Sequence, residues 1–154
     1  MIVIEAKGAT VPALGLGTYG MWGPTCEAAV RFALEVGYRH IDTAQMYENE
    51  AEVGQAIADS GVARAEIFLT TKVLPRNLAE GDLQRSANAS LERLKTDYVD
   101  LLLVHWPNPA IPLDETLGAI AQVKAEGKAG LPPLSWSTVN MSKTEDQRWR
   151  TSGI

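Results

Sequence analysis

The sequence predicts an α/β fold built on a parallel sheet, and three observations carry the prediction. Apolar, β-branched runs alternate with amphipathic helical stretches at intervals of about 30 residues, the size of one βαβ unit. Glycines at 37, 61 and 127 follow three of the four helical stretches, where a helix commonly stops. Asp42, Lys72 and His105 each fall at the C-terminal end of a separate apolar run, the end at which α/β proteins place their chemistry.

The elements can be justified in order. Ile2–Ile4 and Thr10–Val11 flank a turn at Lys7-Gly8 and read as a short hairpin that Pro12 ends. Ala13–Thr18 reads as the first strand of the repeating pattern. Thr25–Val36 reads as its helix, capped by Thr25 and stopped by Gly37. Tyr38–Ala44 is the next strand, followed by a helix over Asn49–Ser60 whose Val53 and Ile57 lie four apart on one face. Ile67–Val73 leads into a helix near Glu80–Leu94, with Leu83, Ala87, Leu91 and Leu94 on its buried stripe. Tyr98–Trp106 leads into a helix near Asp114–Glu126, with Leu117, Ile120 and Ala121 expected inside. Four β–α units covered by helices imply right-handed crossovers. After Gly130 the period is lost: residues 131–154 contain two consecutive prolines and many Ser and Thr, and are expected to be irregular or disordered.

Composition limits the function classes. Among 154 residues, 45% are hydrophobic and 21% charged, ordinary values for a globular chain. A net charge of −5 without a basic cluster argues against nucleic acid as a partner. One cysteine, Cys26, rules out an intramolecular disulfide and fits a reducing cytoplasm. The N-terminus lacks the pattern of a signal peptide, and no apolar run reaches the roughly 18 residues of a membrane helix.

Gly15-Leu16-Gly17-Thr18-Tyr19-Gly20 matches the dinucleotide-binding motif G-x-G-x-x-G, and Asp42 follows at about the distance of that fold's ribose-binding acid. In such a fold the helix opens at the glycines so that its N-terminus meets the pyrophosphate. Here Met21-Trp22-Gly23-Pro24 intervenes before the expected start at Thr25, which disfavours that reading.

Asp42, Tyr47, Lys72 and His105 form a set suited to carbonyl reduction: a phenol to donate a proton, an ammonium to tune it, a carboxylate to hold the ammonium, and an imidazole to orient a carbonyl. Each residue has a structural reading too. Asp42 and Lys72 can be an ion pair between neighbouring strands, Tyr47 an exposed loop tyrosine, and His105 a satisfied core histidine. A metal held by His40 and His105 lacks further ligands, so no metal is expected, and His40 is better read as facing a barrel interior.

Several long stretches together, Leu14–Tyr19 (LGLGTY), Gly37–Tyr47 (GYRHIDTAQMY), Asn49–Gly54 (NEAEVG), Thr70–Val73 (TTKV) and Asp97–Pro107 (DYVDLLLVHWP), resemble the aldo-keto reductase family in order and spacing. The resemblance spans roughly residues 10–128. It implies the N-terminal half of a (β/α)8 TIM barrel, of about four β–α units, preceded by a hairpin closing the barrel bottom. It also implies reduction of an aldehyde or ketone to an alcohol with NADPH. By position, Tyr47 would be the general acid and Lys72 would favour its phenolate. Asp42 would fix Lys72, and His105 would polarise the substrate carbonyl. Thr18, Tyr19 and Asp42 would lie at the nicotinamide. Trp22, Tyr47, His105 and Trp106 would form the substrate pocket. Past about residue 130 the chain departs from the family pattern. The expectation is therefore a truncated cytoplasmic member, weakly active or inactive alone and able to self-associate through open barrel edges. The alternative is a non-catalytic remnant or an interaction protein on a reductase scaffold.

Overall fold

A computed structural model describes residues 2–6 and 8–131. The chain opens with an antiparallel hairpin, β1 (Val3–Ala6) and β2 (Ala9–Pro12), paired from Val3↔Pro12 to Ala6↔Ala9. Five parallel strands follow: β3 (Leu16–Gly17), β4 (His40–Asp42), β5 (Phe68–Val73), β6 (Val99–Val104) and β7 (Ala129–Leu131). Their order in the sheet is their order in sequence, and one helix lies in each crossover: α1 (Gly23–Glu35), α2 (Glu50–Asp59), α3 (Asp82–Leu94) and α4 (Leu113–Ala125). A sequential parallel order with a helix after every strand is the winding of a (β/α) barrel. A dinucleotide-binding sheet would reverse direction and set its glycine-motif strand centrally. Here β3 lies at an edge among the described residues. The topology thus excludes the dinucleotide fold more firmly than the loop did, because α1 begins at Gly23, two residues before the expected start. Trp22 takes the N-cap position and Pro24 sits in the first turn, where its missing N–H costs nothing.

One face of the sheet is sealed by the helices. Val30 and Leu34 of α1, Val53 and Ile57 of α2, Leu83, Leu91 and Leu94 of α3, and Ile120 and Val123 of α4 pack with Ile41, Leu69, Val73 and Leu102. Strand period 2 sends His40, Asp42, Thr70, Lys72, Leu101 and Leu103 to the other face, aligned by the pairings Asp42↔Thr70, Thr70↔Leu101 and Lys72↔Leu103. The α3 stripe is buried as its spacing predicted. The α4 stripe is not: Thr116, Ala119, Ile120 and Val123 are inside, Leu117 is half-buried, and Ala121 is exposed. Strand β7 was not anticipated, and it pairs Val99↔Ala129 and Leu101↔Leu131. The irregular tail expected for 131–154 lies, apart from Leu131, outside the described residues.

Two glycines show how closely the layers meet. A Cβ on Gly54 would lie 2.6 Å from Arg93 O and Leu94 C, so α2 crosses the end of α3 backbone to backbone. A Cβ on Gly15 would lie 2.9 Å from the His40 ring, whose Nδ1 is 3.2 Å from Pro12 O and whose Nε2 is 3.2 Å from Thr70 Oγ1. His40 thereby ties the hairpin's end to the inner face of the sheet. No described helix is long and apolar enough to cross a membrane.

Candidate active site

The ends of β4, β5 and β6 place three of the expected residues side by side. Asp42 ends β4, Lys72 lies one residue before the end of β5, and His105 follows β6, its N–H donating to Val73 O at 3.0 Å. Lys72 Nζ donates to Asp42 Oδ1 (2.5 Å), to Thr43 O (3.0 Å) and to Tyr47 Oη (3.2 Å). The ammonium therefore has its three hydrogens directed at a carboxylate, a carbonyl and the phenol. The Tyr47 ring stands edge-on to the His105 ring at 5.6 Å between centroids, and His105 meets Trp106 at 4.6 Å. All four candidate catalytic residues are brought together.

His105 is half-buried, and its Nδ1 is a buried side-chain atom without a hydrogen-bond partner among the described residues. Burial chiefly, and the nearby Lys72 ammonium second, push its pKa below the usual 6.5, while Asp42 pulls weakly the other way. The ring is accordingly neutral at neutral pH. Among the described residues no group of three or more His, Cys, Asp or Glu could hold a metal ion.

The other expected site residues divide. Tyr19 is 77% exposed and lies edge-on to Tyr47 at 5.2 Å; Trp22 and Trp106 are also exposed. The Trp22 indole N–H donates to Tyr47 O at 3.0 Å, so Trp22 holds the backbone that carries the phenol. Thr18 is fully buried, and its hydroxyl donates to Asn49 Oδ1 at 3.4 Å.

Sequence reasoning missed the residues that brace the Tyr47 turn. The side chain of Gln45 donates to Ser86 O and Ser90 Oγ and accepts from Leu74 N and Ser86 Oγ, pinning the turn to α3 and to the loop after β5. Asn49 is wholly buried, and its amide reaches Thr18 O and Met21 O, both at 2.8 Å. Glu50, also buried, takes Arg93 Nη2 (2.6 Å) and Nε (2.9 Å), Thr71 Oγ1 (2.6 Å) and Ser90 Oγ (3.2 Å). The signal available was the stretch Asn49–Gly54 itself, in which an amide, an acid and a glycine each turn out to be demanded by a contact.

The fold and site together define a barrel-type α/β scaffold with an Asp–Lys–Tyr–His cluster at the strand C-termini. Family comparison then places it: the model of the aldo/keto reductase family matches residues 13–146, and the chain belongs to that family. The match ends at residue 146, past the departure from the family pattern expected near residue 130. The chain is 50% identical over 120 residues to methylglyoxal reductase DkgB of Salmonella typhi, covering 77% of this chain and 45% of that protein. Its structure resembles the thermostable aldo-keto reductase Tm1743 bound to the inhibitor epalrestat, with a TM-score of 0.78 and 42% identity over 84% of this chain and 52% of that one. It also resembles a Bombyx mori aldo-keto reductase in complex with NADP, with a TM-score of 0.77 and 35% identity over 83% and 48% of the two chains. The chain thus spans about half the length of the relatives it matches, and its architecture is part of the aldo-keto reductase barrel.

Proposed function

We infer that this chain carries the proton-transfer half of an NADPH-dependent carbonyl reductase. The observation that carries the reading is the Lys72 ammonium, held by Asp42 at 2.5 Å and set 3.2 Å from the Tyr47 hydroxyl. A fixed cation beside a phenol stabilises the negative charge left on its oxygen as the proton is given up. Tyr47 is thereby suited to protonate a carbonyl oxygen as it becomes an alkoxide. The neutral His105 is suited to donate a hydrogen bond to the same oxygen. A proton on Nδ1 would bury an unpaired donor, so the favoured tautomer carries it on Nε2. Trp22 and Trp106 supply the exposed aromatic rim of a substrate mouth.

NADPH, when bound, supplies hydride to the carbonyl carbon. Thr18, Tyr19 and Asp42 are the residues assigned to its nicotinamide end, and the NADP complex of the Bombyx mori relative is consistent with this cofactor. The relatedness to methylglyoxal reductases supports a small 2-oxoaldehyde as substrate. Because the chain spans about half the length of its relatives, we expect weak turnover from it alone. Among the described residues β3 and β7 lie at the two edges of the sheet, which supports self-association, and sedimentation of the purified chain would reveal it.

The test is a fluorescence titration of the full chain with NADPH, followed by methylglyoxal-dependent loss of nicotinamide absorbance. Saturable binding, with turnover that falls about 10²–10⁴-fold in Tyr47→Phe while binding persists, is the expected result. Absence of binding at millimolar NADPH would instead support a non-catalytic protein on a reductase scaffold.

A further inference from the structure

Asn49 occupies the N-cap position of α2, where an asparagine normally turns its side chain onto its own helix. It makes no such bond. Instead both amide hydrogens go to carbonyls of the loop after β3, Thr18 O and Met21 O, each at 2.8 Å. Its oxygen accepts from Thr43 Oγ1 at 2.9 Å and from Thr18 Oγ1 at 3.4 Å. The carboxamide is wholly buried and fully used, and every partner lies outside α2. Capping its own helix has been exchanged for a cross-link between two loops.

Those two loops hold the phenol. The bond from Thr43 to Asn49 closes the segment 43–49 on itself, with Tyr47 inside the closed loop. Thr43 O is also an acceptor for Lys72 Nζ at 3.0 Å. On the other side, the loop clamped by Asn49 carries Trp22, whose indole holds Tyr47 O at 3.0 Å. Thr18 N donates to Asp42 O at 2.9 Å, joining the same loop to the strand that ends in the carboxylate.

We propose that Asn49 is a positioning residue that sets the Tyr47 hydroxyl against Lys72 by locking the loop after β3 to the loop after β4. This rests on the reading of Tyr47 as the general acid, but the positioning can be measured without turnover. Loss of the amide frees both loops, and a displacement of about 1 Å at the phenol is enough to cost on the order of 10²-fold in rate.

The experiment uses the full chain with ¹³C-labelled tyrosine rings and ¹⁵N-labelled indoles. The Tyr47 signal is assigned with Tyr47→Phe and the Trp22 signal with Trp22→Phe. Asn49→Ala removes the whole cross-link. Thr43→Val removes one bond of it, and serves if Asn49→Ala does not fold. Thr116→Val is the control, because it deletes a buried hydroxyl bonded to Leu78 O beneath α4, away from the site. The expected result is that the Tyr47 ring and Trp22 indole signals shift in both site variants and stay in place in the control. Where wild type turns over, kcat in Asn49→Ala should fall about 10²-fold, far more than KM for NADPH changes. Unmoved Tyr47 and Trp22 signals, or moved signals with unchanged kcat, would overturn the proposal. Moved signals in a chain whose wild type does not turn over would sustain the positioning and remove the reductase reading.

Discussion

Gly54 and Gly118 are both helix-interior glycines, and substituting alanine at each should change stability in opposite directions. Alanine in a helix interior gains about 1 kcal/mol over glycine from propensity alone. At Gly118 nothing lies within 4 Å of the new methyl, so that gain should appear almost in full. At Gly54 the methyl would sit 2.6 Å from Arg93 O and Leu94 C and 2.7 Å from Leu94 Cα. Ordinary carbon contacts are about 3.5–4.0 Å, so α2 must withdraw from α3 by roughly 1 Å. The obstacle is backbone, which no rotamer change can move aside, and overpacking of this kind costs about 3 kcal/mol. Setting the propensity gain against it leaves a loss of about 2 kcal/mol. With a urea m-value of about 2 kcal/mol per molar, the midpoint for Gly54→Ala should drop by about 1 M, and that for Gly118→Ala should rise by about half as much. Urea unfolding followed by far-ultraviolet circular dichroism measures both. A Gly54→Ala midpoint equal to or above wild type would refute the close helix crossing on which the estimate rests.

Further predictions concern charge and burial. His105 should titrate below its ordinary 6.5 in an NMR titration, and Lys72→Met should raise its apparent value by removing the repelling ammonium. Because the folded value is depressed, His105 contributes stability that is fully present above pH 6.5 and is lost as pH falls through the folded value. A rise in stability on acidification through that window, attributable to His105, would contradict the assignment. Arg93→Ala should leave the Glu50 carboxylate buried without its cation. Arg93 is itself 43% exposed, so water offsets part of the loss and about 2 kcal/mol is expected from urea unfolding. Burial first, then Glu52 and Glu27, push the Cys26 thiol up to about 11. It should therefore resist a thiol reagent at about pH 8 in the folded chain and react promptly once unfolded; equal rates in both states would show that the site opens.

What was legible in the chain was whatever repeats locally. The strand-then-helix alternation, the α3 stripe from Leu83 to Leu94, and the glycines after α2 and α4, which adopt left-handed backbone at Gly61 (φ 72°) and Gly127 (φ 74°), follow from period and stop residues alone. The α4 face was misjudged because its period was anchored on Leu117; the buried side is set by Thr116, whose hydroxyl reaches Leu78 O, and by Val123. Strand β7 was missed because Ala-Gly-Leu carries almost no strand propensity of its own and pairs only because β6 is already in place. That Asp42, Tyr47, Lys72 and His105 would lie together could be expected because each sits within a stretch resembling the aldo-keto reductase family, three of them at strand ends and Tyr47 in the turn after β4. The bracing roles of Gln45 and Asn49 were not legible, since their partners lie on distant elements; for Asn49 only the stretch that contains it stood out.

Thr71 and Lys72 are adjacent on β5 and face opposite ways: Thr71 bonds the buried Glu50 among the helices, while Lys72 reaches Asp42 and Tyr47 on the inner face. A slip of β5 by a single residue would exchange the two faces. Lys72 would be driven among apolar helix residues, and the buried Glu50 carboxylate would lose the Thr71 hydroxyl that donates to it. The pair therefore acts as a registration key, readable from either side of the sheet. A misaligned β5 is penalised on the side that folds the protein before any chemistry on the other side is attempted, so chains that fold at all are selected for having the ammonium in place.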